Sequence, residues 1–215
     1  MRVDLILPCL NEAAALPWVL ARIPHGVHPI VVDNGSSDGS AEIARGLGAE
    51  VVECSARGYG AACRAGLAAA TANFVAFCDC DATLEPSDAL RLARVVDSGV
   101  DLVVGRRRAT SRGAFPVYAR LANWELARRV RRQTGVALRD VGPLRVARRE
   151  PYVALEIADT RCGYPVETIV RAARAGWCIE GVDVAYRPRL GHSKVTGTVR
   201  GTVRAVHDMS AALRS

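Results

Sequence analysis

The chain has 215 residues, enough for one sizeable α/β domain with its own core and too few for two such domains. Half of the residues are hydrophobic and 24% are charged, a balance that excludes a disordered or fibrous chain. The net charge of +7, to which Lys194 contributes the only lysine, suits an anionic partner, while an aromatic content of 5% argues against nucleic-acid binding by base stacking.

No apolar stretch of the sequence reaches the length of a transmembrane helix, because Arg, Asp or Glu interrupts each candidate. The first residues enter a strand-like run directly and show no signal peptide. The seven cysteines are scattered without a CxxC pair, which argues against disulfides and against a zinc site. These features predict a cytoplasmic protein that meets a membrane, if at all, at the surface of its inner face.

The first half of the chain alternates short apolar runs, typical of buried parallel strands, with segments of helical periodicity. The predicted strands cover residues 3–7, 29–32, 49–54, 74–78 and 101–104. The predicted helices cover residues 17–23, 40–47, 60–71 and 86–98. This alternation predicts an α/β fold, a single Rossmann-like domain with a mostly parallel sheet and helices on both faces.

The second half of the chain is less regular. The predicted elements are a basic amphipathic helix over 118–132, a short strand or turn over 140–146, a helix over 165–175 and a strand over 178–186. From Val195 onward, apolar residues recur at helical spacing opposite an Arg- and Thr-rich face. We favour the interpretation that this C-terminal amphipathic helix packs on the domain, and the alternative is that it rests on a membrane surface.

Polar residues follow four of the predicted strands of the first half. They are Asn11, Glu12, Asp33, Asp79, Asp81, Arg106 and Arg107. Because ligands of doubly wound sheets bind beyond the carboxyl ends of the strands, we expect these side chains to line one rim of the sheet. The sequence therefore predicts a ligand site along this rim.

Asp79 and Asp81 are the most specific of these residues. Their carboxylates are one residue apart where an apolar run ends, a spacing that lets both reach one ion. Hard oxygen donors suit Mg²⁺ or Mn²⁺, and such a cation can hold a diphosphate and neutralise it as a leaving group. Taken alone, the pair is better explained as an Asp-rich turn, so the metal hypothesis depends on the neighbouring motifs.

Four segments together resemble glycosyltransferase family 2, whose members have the GT-A fold. They are LPCLNE at 7–12, VDNGSSDGS at 32–40, GYGAA at 58–62 and the DxD motif at 79–81. Within the family, the chain is most similar to the polyprenyl (dolichyl)-phosphate hexose synthases and their small bacterial relatives. This narrower resemblance is carried by the segments 105–107, 120–123, 140–145, 163–167 and 187–194.

The resemblance implies an inverting transfer of a hexose from a nucleotide-diphospho-sugar of the GDP-mannose or UDP-glucose class, assisted by Mg²⁺ or Mn²⁺. Residues 1–107 would form a nucleotide-sugar-binding half and residues 108–215 an acceptor-side half. A polyprenyl phosphate met at the membrane surface is one acceptor that the resemblance implies, and a soluble hydroxyl acceptor is the alternative. Nucleic acid is not an expected partner, and the oligomeric state stays open.

The resemblance also implies roles for individual residues. The donor would be bound by Pro8, Leu10, Glu12, Asp33, Asp79, Cys80, Asp81, Arg107, Arg189 and Lys194. The acceptor phosphate would be bound by Arg120 and Ser193, and the metal by Asp79, Asp81 and Thr83. The anionic group that Arg107, Arg189 and Lys194 gather would be either the donor diphosphate or the acceptor phosphate. The chain departs from the family pattern at Thr83, where these synthases commonly carry an amide, and at Asn34, where members often carry a second Asp.

The acceptor decides whether a general base is needed. A phosphate oxygen is already an anionic nucleophile, whereas a hydroxyl must lose its proton to a carboxylate. Asp140 and Glu167 are the candidates, and Asp140 is favoured because it begins a Gly-Pro turn that can enter a cleft.

Two rival functions stay open at this point, a nucleotidyltransferase and a non-enzymatic basic binding module. A nucleotidyltransferase would carry a Gly-rich basic segment after its first strand, where this chain has PCLNE at 8–12. A basic binding module would leave the carboxylates at the strand ends unexplained.

Overall fold

The computed structural model describes residues 1–191 and 208–214. The strands are β1 (Val3–Cys9), β2 (Val27–Asp33), β3 (Glu50–Glu53), β4 (Phe74–Phe77), β5 (Leu102–Ala109), β6 (Arg145–Arg148) and β7 (Ile179–Tyr186). The helices are α1 (Leu16–Leu20), α2 (Ser40–Gly46), α3 (Tyr59–Ala69), α4 (Asp88–Asp97), α5 (Val117–Thr134), α6 (Arg149–Ala154) and α7 (Tyr164–Arg174). Residues 208–212 are also helical. All strands and helices predicted for the first half of the chain are present.

The strands form one sheet in the order β3-β2-β1-β4-β6-β5-β7. β1 pairs in parallel with β2 and β4, β2 with β3, and β5 with β7. Only β6 runs antiparallel, to both of its neighbours β4 and β5. The predicted fold class, a single α/β domain with a mostly parallel sheet, is confirmed.

Helices bury both faces of the sheet. On one face, α1, α2 and α4 pack on a set of strand residues that includes Leu5 and Val31. On the other face, α3, α5 and α7 pack on a set that includes Ile6 and Val32. The two sets alternate along β1 and β2 because successive side chains of a strand point to opposite faces. Both faces of these strands are therefore apolar, and polar groups gather where the strands end.

Three features of the second half differ from the expectation. β5 continues through Arg107 to Ala109, because β7 pairs with it as far as Tyr186; the predicted strand end at Val104 was wrong. The antiparallel direction of β6 and the short helix α6 were not predicted, since both depend on neighbouring strands rather than on local periodicity. Most of the predicted C-terminal helix lies outside the described residues, and of its described part Ala212 and Leu213 are buried in the core that contains α5 and α7.

Candidate active site

The carboxyl ends of β1, β2 and β4 lie side by side, because these strands are adjacent and parallel. Glu12 follows β1, Asp33 ends β2, and Asp79 and Asp81 follow β4. Cys9 and Asp33 are direct partners in the ladder between β1 and β2. The structure thus brings the acidic residues of the first half to the rim where the sequence places a ligand site.

Arg189 links two of these strand ends. It follows β7, and its guanidinium contacts Oε1 of Glu12 and lies 3.1 Å from Oδ2 of Asp81. The backbone N–H of the next residue, Leu190, donates to the carbonyl of Asp81 at 3.2 Å, which fixes this segment against the DxD turn. The positive charge of Arg189 therefore faces both carboxylates at close range.

Asp81 is held in one orientation by Thr83. The Asp81 side chain is buried, and its Oδ1 accepts hydrogen bonds from the backbone N–H of Thr83 at 3.1 Å and from the Thr83 hydroxyl at 2.6 Å. Ala82 between them has a φ of 63°, a left-handed conformation that non-glycine residues rarely adopt outside tight turns and functional sites. Thr83 acts on Asp81 through this hydroxyl, and its direct ligation of a metal stays a prediction.

Asp79 is half-buried at the same turn. Burial, and after it the negative charge of Asp81, raise the pKa of Asp79 to about 7, against the opposing charges of Arg145, Arg107 and Arg189. Further positive charge next to such a carboxyl group favours its ionised form. A bound divalent cation would supply that charge.

The donor groups present fit a hard cation that is shared with a ligand. Among residues 1–191 and 208–214, no group of three or more His, Cys, Asp or Glu side chains is arranged to hold a metal ion. Mg²⁺ is commonly bound by only one or two carboxylates, with substrate phosphates and water completing its octahedron. Asp79 and Asp81 would hold such a cation, and the chemistry it supplies is neutralisation of the charge on a diphosphate leaving group.

Arg107 is clamped to Asp140. Its backbone N–H and Nε donate to Oδ2 of Asp140 at 2.7 and 3.1 Å, and its Nη2 donates to Oδ1 at 2.7 Å. Nη2 also donates to Oδ1 of Asn123 at 3.0 Å, and the guanidinium lies 4.3 Å from the centroid of the Phe115 ring. Asp140 is buried, and both of its carboxylate oxygens accept hydrogen bonds from Arg107. These bonds fix the orientation of the Arg107 guanidinium.

Glu167 is engaged in a similar way at the start of α7. The buried carboxylate accepts from the backbone N–H groups of Ala158 at 3.1 Å and Asp159 at 2.6 Å, and from Nε of Arg171 at 2.6 Å. These bonds fix the loop that precedes α7. The role of a general base stays a prediction for Asp140 and Glu167 alike, and the contacts favour positioning roles for both.

Asn34 explains one departure from the family pattern. Its side-chain amide donates to the carbonyls of Cys54 at 3.0 Å and Ala56 at 2.7 Å, and its Oδ1 accepts from the N–H of Gly58 at 2.9 Å. An ionised Asp has no proton to donate to two carbonyls. Asn34 therefore ties the end of β2 to the loop that leads into α3, while Asp33 accepts hydrogen bonds from its own turn.

A buried arginine to which the sequence analysis assigned no role lies near the rim. Arg145 pairs with Phe77 in the sheet and is fully buried, and its Nε and Nη1 have no hydrogen-bond partner in the described part of the chain. Its Nη2 donates to the hydroxyl of Tyr59 at 3.3 Å. Of the positive charges that act on Asp79, Arg145 has the largest effect on its pKa. β6 begins and ends with an arginine, and nothing in the local sequence marks Arg145 rather than Arg148 as the buried one.

The remaining predicted site residues have different positions. Pro8 and Leu10 are half-buried at the end of β1, Cys80 is buried with its thiol against that of Cys9, and Arg120 is exposed on α5. Ser193 and Lys194 lie outside the described residues. Asn123, which the sequence analysis left without a function, joins this set through its contact with Arg107.

Residues 4–155 match the family model described as Glycosyl transferase family 2. The chain belongs to glycosyltransferase family 2. A glycosyltransferase of Mycobacterium tuberculosis, described as uncharacterized, is 44% identical to it over 207 residues, which cover 96% of this chain and 95% of the relative. The dolichyl-phosphate hexose transferase of Haloferax volcanii is 31% identical over 194 residues, which cover 88% and 85%.

The fold of this family 2 glycosyltransferase is also found in a solved structure. Glucosyl-3-phosphoglycerate synthase from Mycobacterium tuberculosis, in complex with Mn²⁺, UDP and phosphoglyceric acid, aligns with a TM-score of 0.77 at 24% identity, over 99% of this chain and 77% of the other. The predicted GT-A fold and the predicted enzyme class are confirmed, so neither a nucleotidyltransferase nor a non-enzymatic module describes the chain. Among its described helices, none combines the length and apolar character needed to cross a bilayer.

Proposed function

We propose that this glycosyltransferase moves a hexose, with inversion at the anomeric carbon, from a nucleotide-diphospho-sugar to the phosphate of a polyprenyl phosphate. Residues 1–107 would bind the donor and residues 108–215 would form the acceptor side. The strand ends that carry Glu12, Asp33, Asp79 and Asp81 all belong to the first of these halves.

The observation that carries the acceptor class is the engagement of both candidate bases. A hydroxyl acceptor needs a group that takes its proton, but Asp140 is held by Arg107, and Glu167 by Arg171 and two backbone N–H groups. A phosphate oxygen carries its negative charge already and needs no such base. The arrangement therefore suits an acceptor that is itself an anion.

The residues of the rim would act on the donor. Asp79 and Asp81 would hold the cation on the diphosphate, and Arg189 would add positive charge from the other side of Asp81. Pro8, Leu10 and Asp33 would line the nucleobase and ribose. Charge stabilisation by fixed groups of this kind is worth most in a buried, preorganised site.

The transfer itself would consist of one displacement. An oxygen of the acceptor phosphate attacks the anomeric carbon from the side opposite the leaving group, and the bond to the diphosphate breaks with its electron pair. No proton has to move. Arg107, oriented by Asp140, would hold the acceptor phosphate during this step, with exposed Arg120 of α5 at the entrance.

Phosphate-bearing molecules occur in the descriptions of two related proteins. The Haloferax relative is named for transfer to a dolichyl phosphate, and the aligned crystal structure holds phosphoglyceric acid, which also bears a phosphate. We therefore test the lipid acceptor against a soluble one.

The test pairs GDP-mannose or UDP-glucose and Mn²⁺ with three acceptors: a short-chain polyprenyl phosphate, the corresponding polyprenol and 3-phosphoglycerate. We expect release of nucleoside diphosphate and a glycosylated lipid with the polyprenyl phosphate only. Equal transfer to the polyprenol would contradict the phosphate mechanism. Transfer to 3-phosphoglycerate alone would replace the lipid by a soluble phosphate acceptor.

A further inference from the structure

We propose that the solvent face of the first half of α5 docks on an anionic membrane surface. This face, called the α5 face below, consists of Val117, Tyr118, Leu121 and Trp124. The inference rests on the proposed acceptor class and specifies which part of the domain would meet the bilayer that holds such an acceptor. From the sequence alone, only the C-terminal helix was a candidate for this role.

The α5 face is an apolar surface in contact with water. The exposed fractions are 69% for Val117, 62% for Tyr118, 62% for Leu121 and 59% for Trp124. Only four other large hydrophobic side chains of the described residues are exposed, and they are distributed over other segments. Val117, Leu121 and Trp124 are spaced by four and three residues, so they form one stripe along the helix.

Folding does not require this stripe. The opposite side of α5 is anchored in the core by Ala127 and Val130, which are 2% and 0% exposed. The helix therefore has two apolar sides, and the domain uses only one of them. Clustered apolar side chains on a folded surface are typical of an interaction site.

The charges around the α5 face favour a membrane as the occupant. The helix carries five arginines, at positions 120, 128, 129, 131 and 132, and its only acidic residue, Glu125, is paired with Arg128 and Arg129. Apolar residues beside a strongly basic surface are the pattern of helices that lie in a bilayer interface and attract anionic lipids. Two copies of this face would instead bring like charges together.

The aromatic residues support the same occupant. Trp and Tyr are enriched where a protein meets the headgroup region, because their rings are apolar and one end can form hydrogen bonds. Tyr118 and Trp124 lie on the α5 face, and the guanidinium of Arg128 is 5.9 Å from the centroid of the Trp124 ring. A basic group next to a tryptophan can remain at the lipid phosphates while the ring enters the interface.

Docking at this face would connect the membrane with the site. Asn123 belongs to the same helix and contacts both Arg107 at 3.0 Å and the backbone N–H of Val141 at 3.2 Å. Arg120 is exposed between two residues of the face. A phosphate at the bilayer surface would then approach Arg120 and Arg107 from the side on which α5 is docked.

The experiment measures binding to vesicles of phosphatidylcholine with and without 30% phosphatidylglycerol. The variant Val117→Gln/Leu121→Gln/Trp124→Gln is compared with a matched control, Leu47→Gln/Val153→Gln, which changes exposed apolar residues on other segments. We expect the wild type and the control to bind the anionic vesicles and the α5 variant to bind at least tenfold more weakly. We also expect a blue shift of tryptophan emission on binding that the single variant Trp124→Phe loses.

Two results would overturn the proposal: equal vesicle binding by the α5 variant and the wild type, or a concentration-dependent dimer that the α5 variant abolishes. Unchanged circular dichroism and melting temperature would show that the variant is folded. Transfer to a detergent-dispersed short-chain acceptor separates the two proposals. Vesicle binding without transfer to any acceptor would contradict the proposed function and support the docking surface. Normal transfer without vesicle binding would support the proposed function and contradict the docking surface.

Discussion

Arg107 and Asp140 are joined by three hydrogen bonds, and the carboxylate that they occupy is the one that the sequence marks as the favoured base. Replacement of Asp140 will have different kinetic effects if Asp140 orients Arg107 than if it removes a proton from the acceptor. The pair therefore provides the most direct test of the acceptor chemistry.

We expect Asp140→Asn to raise the KM for a phosphate acceptor and to lower kcat/KM roughly 10- to 100-fold, because hydrogen bonds to charged groups contribute about 1.5–3 kcal/mol. The double variant Arg107→Met/Asp140→Asn should be no worse than Arg107→Met alone, since both changes remove the same contact. Steady-state kinetics with the acceptor varied would measure this. Additive losses, or a loss confined to kcat, would instead indicate that Asp140 acts as a base.

We expect Asp81→Asn to abolish the effect of Mn²⁺ on nucleotide binding, because Oδ2 of Asp81 would no longer carry charge toward the cation. In the wild type, a nucleoside diphosphate with Mn²⁺ at 100 times its Kd should stabilise the fold by about 2.7 kcal/mol, and EDTA should reverse this. Thermal unfolding with and without the metal gives the measurement. Glu85→Gln, in the same loop, is the matched control and should behave like the wild type. A metal response that survives in Asp81→Asn would refute the assignment.

The pKa of Asp79 predicts the pH dependence of stability. Its value of about 7 in the folded state lies above the ordinary value of 3.8, so the folded state holds an extra proton between these values and stability falls as the pH rises through that interval. Asp79→Asn removes this penalty. The variant should be more stable than the metal-free wild type at pH 8, by on the order of 1–3 kcal/mol, and the difference should disappear toward pH 4.

Asp183→Asn is the control for this measurement. The hydrogen bond from Arg106 lowers the pKa of Asp183, so the contribution of Asp183 to stability changes with pH in the opposite direction. Its stabilising contribution is present above the ordinary pKa and is lost as the pH falls through the lowered value. Urea unfolding at several pH values would distinguish the two variants. Parallel curves for Asp79→Asn and the wild type would show that Asp79 carries no such penalty.

We expect Gly60→Ala to destabilise the fold by about 1–3 kcal/mol, since overpacking at a rigid contact costs that much. A Cβ at Gly60 would lie 2.2 Å from the carbonyl oxygen of Asp159, where α3 begins against the loop before α7. Gly46→Ala is the matched control in helix α2, because a Cβ there meets nothing within 4 Å. It should stabilise the protein by roughly 0.5–1 kcal/mol. Similar midpoints of chemical unfolding for the two variants would contradict the close packing at Gly60.

Much of the fold could be predicted because its signals are local. Apolar runs and helical periodicity marked the strands and helices of the first half, and Asp33, Asp79 and Asp81 stood at strand ends that parallel topology brings together. The extension of β5 to Ala109 could not be read in this way, because Arg106 and Arg107 look like a loop until β7 pairs with them. The direction of β6 was hidden for the same reason.

The sequence by itself determined the family, the α/β fold and the candidate residues of the rim. Only the tertiary structure decided which of those residues have side chains held in ion pairs and hydrogen bonds. Glu12 and Arg189 are 177 positions apart, and Arg107 and Asp140 are 33 apart, so no local pattern records that they meet. The energy of an ion pair depends on distance and burial in the folded chain, and these alone distinguish a carboxylate that orients an arginine from one that is free to take a proton.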